Sequence, residues 1–380
     1  MKIAIVGAGM MGHVLAWRLR AAGYSINVFD KGHSLSENNS AANAAAGMLA
    51  PYSEMDSADS VIFNLGIAAL PLWKNISTAL VDSTEIDIDF RQSGSLIVAH
   101  HQDQSDLVHY QQALQKNVPE TQQHALRVLD KPSLATIEKT LADRFNQAIF
   151  IKDEACLSPI ACLSAINQYL RKHGTTFHYG VDIQHVSKNC LAHYGQFDQI
   201  IDCRGLGAKP NLNNLRGVRG ESILLNAPDV KLKTIVRLTH PRYKLYISPR
   251  KNNQYLIGAT QIESNDNSPI SVRSTLELLS AAYSIDENFS EAALIGTQTA
   301  CRPTMPDNSP TVFFDDNILR INGLYRHGVL ISPAIAELVL NLIEDGTYTD
   351  KDSNNILPSM LNRYQLTNVK NGEQSIRLTA

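Results

Sequence analysis

The first thirty residues constrain this chain more than any other stretch. Residues 2–6, Lys-Ile-Ala-Ile-Val, form a short β-branched run, the pattern of a parallel strand buried on both faces. Gly7-Ala-Gly-Met-Met-Gly12 comes next, then Val14, Leu15 and Leu19 at helical spacing, with Gly23 placed to end the helix. Residues 25–29 read as a second strand closing on Asp30. A strand, a GxGxxG turn, a helix, a second strand and a terminal acid make a dinucleotide-binding βαβ unit. Gly7 permits the tight turn, Gly9 lets backbone approach a pyrophosphate, and Gly12 allows close helix–strand contact. The helix N-terminus offers free N–H groups to phosphate. Asp30 stands where a carboxylate accepts hydrogen bonds from ribose hydroxyls and repels a 2′-phosphate.

The segment after Asp30 separates FAD from NAD. A third regular βαβ unit is missing, and residues 36–50 are dominated by Ser, Asn and Ala. Small residues there let backbone groups approach a bulky ring. Far along the chain, residues 318–322 read as a strand, 323–328 as a turn, and 332–344 as a helix with Pro333 at its start. A helix N-terminus aimed at the same cofactor would stabilise the anion of a reduced flavin at its N1–C2=O edge. These features favour FAD.

The rest of the chain supplies a sheet of another kind. Residues 94–100, 243–248 and 255–258 are strand-like, with Pro249-Arg-Lys-Asn-Asn253 as a hairpin turn. Residues 158–173 read as a helix and 197–203 as a buried strand. The expected fold is α/β, α+β overall: a Rossmann-like FAD-binding domain with a second, antiparallel-sheet substrate domain. The first takes residues 1–80, 145–210 and 295–350, the second 81–144 and 211–294, leaving a polar, partly disordered tail at 351–380.

Composition removes several function classes. With 34 Lys+Arg against 37 Asp+Glu among 380 residues, and no basic run, no nucleic-acid partner is expected. No uninterrupted apolar stretch reaches the roughly 18–20 residues of a membrane span, and no signal-peptide cleavage pattern succeeds the N-terminal apolar run, so a soluble, cytoplasmic globular enzyme or binding protein is expected. Five cysteines without a CxxC pair, and no HExxH, argue against a disulfide framework or a metal site.

Six segments then carry a family in register: Ala44-Ala-Ala-Gly-Met-Leu-Ala-Pro51, Asp202-Cys-Arg-Gly-Leu-Gly207, Val218-Arg-Gly-Glu221, Ile257-Gly-Ala-Thr260, Arg302-Pro-Thr-Met-Pro-Asp307 and Tyr325-Arg-His-Gly328. Over about residues 1–345 the chain resembles the glycine oxidases of thiamine biosynthesis, in the D-amino-acid oxidase/sarcosine oxidase group of flavoenzymes. The resemblance implies oxidation of a small amino acid to an imino acid, with O2 taking the electrons to give H2O2. It implies flavin contacts at Met10, Met11, Asp30, Lys31, Ala41, Ala42, Ala46, Gly47, Met48, Val181, Leu324, Tyr325, Arg326, His327, Gly328, Val329 and Leu330. It implies substrate contacts at Arg302 and Arg326, with Tyr246 close by. The chain departs from the family pattern at Thr304 and Met305, where Gly-Thr is usual, at Lys244, and at His327, where Asn is common.

Read without their motifs, Arg302 and Arg326 are ordinary surface arginines; within the motifs the substrate-site reading prevails. A guanidinium fork binds a carboxylate bidentately and stays charged when desolvated, which suits Arg302 and Arg326. Tyr246 alternates with apolar neighbours, so its phenol either faces the cavity or sits satisfied in the core. Arg204 and Arg219, beside glycines, read as structural or solvent-facing. No Cys or His marks a flavin attachment point, so FAD is expected to be non-covalent. No general base is needed if the amine enters neutral and Cα–H leaves as a hydride to flavin N5. The alternatives are a flavin amine dehydrogenase, a sarcosine-like secondary-amine oxidase, or a flavoprotein acting on a protein- or RNA-linked amine. A homo-oligomer is left open.

Overall fold

The computed structural model describes residues 1–37, 40–55, 59–240, 245–346 and 355–364. Among these, a six-stranded sheet runs in the order Thr311–Asp315, Ile318–Asn322, Gln199–Asp202, Lys2–Val6, Ser25–Asp30, Thr176–Tyr179. Its strands are parallel except for Thr311–Asp315, which forms a hairpin with Ile318–Asn322. The strand Lys2–Val6 is apolar from Ile3 onward because both its faces are covered there. Ile3 and Ile5 enter the core shared with the helices Met10–Ala21, Ser60–Thr84, Pro159–Lys172 and Gly328–Asp345. Ala4 and Val6 join Phe29, Val186, Leu191, Ile200 and Ile318 on the other side.

A nine-stranded sheet packs beside it, antiparallel except where Ile235–Leu238 runs parallel to Ser95–Val98. At its end nearest the first sheet, the long strand Arg216–Asn226 pairs with Ala293–Thr304 on one side and with Ile262–Glu263 and Gln254–Gly258 on the other. Leu245–Pro249 is the expected hairpin partner of Gln254–Gly258. Gln147–Ile151 and most of Ala293–Thr304 hydrogen-bond into this sheet, although the boundaries drawn from sequence put them in the first unit. Strand propensity is local; which sheet a strand joins depends on partners far away in the chain.

Two further expectations are corrected. The C-terminal helix begins at Gly328, four residues before the predicted Ser332, so Pro333 lies inside it. Proline lacks the N–H that would pair with the carbonyl four residues back, here that of Val329. The indole Nε1 of Trp73 donates to that carbonyl instead, at 3.0 Å, and to Leu330 O at 3.1 Å. Residues 325–345 are long and apolar enough to cross a membrane by length and composition, but 72% of the most apolar window is buried inside the protein as the core helix of the first sheet. Within the expected tail, Leu357–Arg363 is a helix whose Leu357 and Met360 are buried in the same core; residues 351–354 and 365–380 lie outside the described residues.

Candidate active site

A cavity of about 770 Å³ runs from the C-terminal ends of the parallel strands to the face of the large sheet, within the usual ~300–1,000 Å³ for ligand sites. At the first end, Gly7 has φ +109°, and a Cβ there would lie 2.6 Å from Cys203 O; only glycine fits this turn. A Cβ on Gly12 would overlap Gly7 O. Gly12 therefore fixes helix–strand contact and does not itself line the cavity. The helix Met10–Ala21 starts at Gly9 with no side-chain cap and no acid in its first turn, leaving N–H groups for an anion. Asp30 lines the same end, with Oδ2 accepting from Ala8 N at 2.7 Å and Oδ1 from Gly32 N at 2.8 Å.

Residues 41–48 cross the middle of the cavity. They open with a short turn, Ala41–Ala44, in which Ser40 Oγ accepts from Ala42 N at 3.3 Å. The large sheet holds this loop by its carbonyls. Ser222 Oγ donates to Ala44 O at 3.2 Å, and Arg250 Nη2 and Ser248 Oγ donate to Ala46 O. Beyond the loop, the helix Gly328–Asp345 points its uncapped N-terminus into the cavity, with Leu324 through Leu330 lining it. Val181, Lys31, Ala41, Ala42, Ala46, Gly47 and Met48 line it too. Two uncapped helix N-termini, a glycine turn that no side chain fills and a cavity-lining carboxylate are what a flavin dinucleotide requires, and the residues present fit it.

At the other end the structure brings together Arg302, Tyr246 and Arg326. The Arg302 Nη1 donates to Arg219 O at 3.3 Å and Thr260 O at 3.2 Å. Arg302 has no carboxylate partner among the described residues. Burial and the neighbouring Arg326 charge lower its pKa, but a guanidinium stays protonated at neutral pH. The Tyr246 phenol is raised by burial against the opposing pull of Arg302 and Arg326, so it is a neutral donor. His327 is buried and its pKa falls to about 4, so it is uncharged at neutral pH.

Three features of this end escape a reading of the sequence. Glu54 lines the cavity and pairs with Arg326 Nη2 at 3.2 Å; Arg326 is 272 positions away in sequence, and nothing local announces the pair. Gly220 sits beneath Arg302, where a Cβ would overlap Cζ and both Nη atoms of the guanidinium. Gly258 sits against Tyr246 in the same way, with a Cβ landing 2.8 Å from the phenol oxygen. Both glycines belong to the family segments, and a glycine inside a strand signals close approach, but not of which side chain. Arg219 is buried against Glu221 at 2.6 Å rather than facing solvent, and Arg204 is tied to Asp202 at 2.7 Å. Lys244 lies outside the described residues.

A match to the FAD-dependent oxidoreductase (DAO) family covers residues 2–342. The chain belongs to this family. It is 35% identical over 336 residues to a Rhizobium etli protein provisionally named thiamine biosynthesis oxidoreductase ThiO, covering 88% of this chain and 94% of that one. It is 24% identical over 359 residues to the glycine oxidase of Geobacillus kaustophilus, covering 90% and 92%. The crystal structure of glycine oxidase from that organism superposes with a TM-score of 0.79 at 23% identity, over 90% of this chain and 94% of the other. Iminodiacetate oxidase from Chelativorans superposes at 0.76 and 21%, over 90% and 95%. At such identities the superpositions speak for the fold alone. The chain is an FAD-dependent oxidoreductase of the glycine oxidase/ThiO type, consistent with amine oxidase activity.

Proposed function

We propose that the chain oxidises a small, glycine-like α-amino acid, binding FAD non-covalently through the glycine turn, Asp30, the 41–48 loop and the helix start at Gly328. The observation that carries the reading is Arg302: a charged fork at the end of the flavin cavity, steadied by two backbone carbonyls and matched by no carboxylate among the described residues. A substrate carboxylate satisfies it, with the Tyr246 hydroxyl as a second donor. FAD, when bound, would supply the hydride acceptor and a route for the electrons to O2, with H2O2 as product. The chain's own contribution is orientation: fixing the carboxylate leaves Cα the freedom only to face the ring. Neutral His327 and Tyr246 keep that end free of added charge, and no side chain is needed to abstract the Cα proton. The two uncapped helix N-termini would favour the negative charge that the cofactor carries on its phosphates and, when reduced, on its ring.

Purified yellow protein should consume O2 and release H2O2 in equal amounts with glycine, sarcosine or D-alanine. Turnover only with an artificial acceptor would assign a dehydrogenase instead.

A further inference from the structure

The active-site end of the cavity holds two guanidinium groups but offers only one of them to a ligand. Arg326 is already matched: Glu54 faces Nη2 at 3.2 Å, and Gln261 Oε1 accepts from Nη1 at 3.5 Å. Glu54 is itself held, with its side chain only 13% exposed and Arg237 Nη1 at 3.8 Å on its other side. Arg237 is committed elsewhere, donating to Ser53 O and to Tyr110 Oη, and does not line the cavity. The backbone carrying Glu54 is also anchored, because Glu154 accepts from Ser53 N at 2.7 Å and Ser53 Oγ at 2.6 Å. Glu54 is thus a fixed charge, not a side chain free to turn away when a ligand enters.

We infer that Glu54 is a specificity-determining residue: by occupying Arg326, it restricts the site to amines bearing one carboxylate and rejects those bearing two. The inference rests on Arg302 being the carboxylate anchor. A substrate with one carboxylate matches Arg302 and leaves the Glu54–Arg326 pair intact. A second carboxylate, as in an N-carboxymethyl amino acid, would have to approach Arg326 against the Glu54 charge. Like charges at ion-pair distance in a poorly solvated pocket discriminate strongly. Neutralising Glu54 turns the same pocket into a two-carboxylate site, since Arg326 is then free and Arg237 stays with Ser53 and Tyr110.

The test compares wild type with Glu54→Gln, and with Glu54→Ala as a second variant should the amide destabilise residues 51–55. Acetate and malonate are titrated against the flavin absorbance spectrum, which needs no turnover, and kcat/KM is measured for glycine and iminodiacetate. The wild type should bind acetate at least as well as malonate. Either variant should shift the malonate-to-acetate affinity ratio at least tenfold toward malonate, and the iminodiacetate-to-glycine kcat/KM ratio in the same direction. Adding Arg326→Gln should abolish both gains. Ratios unchanged within twofold, with acetate still bound, would overturn the assignment to Glu54 alone. Failure of the wild type to bind acetate would overturn the carboxylate-anchor reading, and this inference with it.

Discussion

The guanidinium of Arg302 lies against the Cα of Gly220 on the neighbouring strand, in space that any side chain at 220 would fill. The two strands pair with Val218 opposite Arg302 and Gly220 opposite Ala300, so Gly220 is the diagonal neighbour over which the arginine folds. The Arg302 fork, the proposed carboxylate anchor, is therefore positioned by a missing side chain as much as by its own hydrogen bonds. Gly220→Ala should displace the fork while leaving the glycine turn and Asp30 untouched. We expect kcat/KM for amino acids to fall on the order of ten- to a hundredfold, because small misplacements of a positioning group are costly, with a near-normal flavin spectrum. Unchanged kinetics would show that Arg302 has an alternative seat.

Arg302→Ala should remove most turnover and spare flavin retention. Losing a charged hydrogen-bonded pair in a desolvated site costs about 2–5 kcal/mol, so kcat/KM should drop by about 30-fold to a few thousandfold. Arg302→Lys should restore only part of it, since an ammonium lacks the planar fork. A small amine without a carboxylate should lose less than an amino acid in the same mutant; equal losses for both would make Arg302 structural.

Asp30→Asn should weaken FAD retention by about 1–3 kcal/mol, or about five- to 150-fold, if its ribose hydrogen bonds are charge-assisted. The observed acceptor contacts with Ala8 N and Gly32 N mean that the variant also loosens the turn before the helix. Flavin release on dilution, monitored by fluorescence, measures the effect. Undiminished retention would place the ribose elsewhere.

The nucleotide end was legible because its signals are local: a doubly buried strand, three spaced glycines and an acid lie within thirty residues. The helix start at Gly328 was not. It has no side-chain cap, and Pro333 mimics a first-turn proline, while the Val329 carbonyl that its missing N–H leaves unpaired accepts from Trp73. Nor could the substrate end be fully read. Glu54–Arg326 and Gly220–Arg302 are contacts between segments joined only by the sheets, so Arg302 and Arg326 looked alike in sequence. In the structure one guanidinium is paired with a carboxylate and the other lacks such a partner among the described residues.

Glu154, fully buried under Ser53, has its carboxyl pushed up to about 7 by desolvation, against the pull of Ser53 and Arg237. A carboxyl that holds its proton more tightly when folded stabilises the fold fully below its unfolded pKa, near 4.3. That contribution is lost as pH rises toward about 7, with a total on the order of 3 kcal/mol. His13 and His327, both lowered to about 4 by burial, act oppositely: their contributions are complete above about 6.5 and lost as pH falls through about 4. Glu154→Gln removes the falling component, so stability should rise more steeply between pH 4.5 and 7 than in the wild type. Urea midpoints across that range test it; parallel profiles would mean that Glu154 is ionised throughout.

The helix entering the cavity at Gly328 depends on a substitution of donors: the Trp73 indole for the amide that Pro333 lacks. Trp73 is fully buried, so Trp73→Phe leaves a small cavity as well as a carbonyl at Val329 without its partner, and an unsatisfied buried acceptor costs about 1–3 kcal/mol. The cavity cost does not depend on residue 333, but the hydrogen-bond cost does. Pro333→Ala restores an N–H four residues beyond Val329, so alone it should change stability little. In the Trp73→Phe background it should recover about 1–3 kcal/mol, since the helix can now pair its own carbonyl. The double-mutant cycle isolates that difference. Because residues 324–330 line the flavin cavity, the single Trp73→Phe variant should also release FAD faster, and Pro333→Ala should reverse this. A coupling energy near zero would show that another donor reaches Val329 O, and that the helix starts at Gly328 for a reason other than the indole.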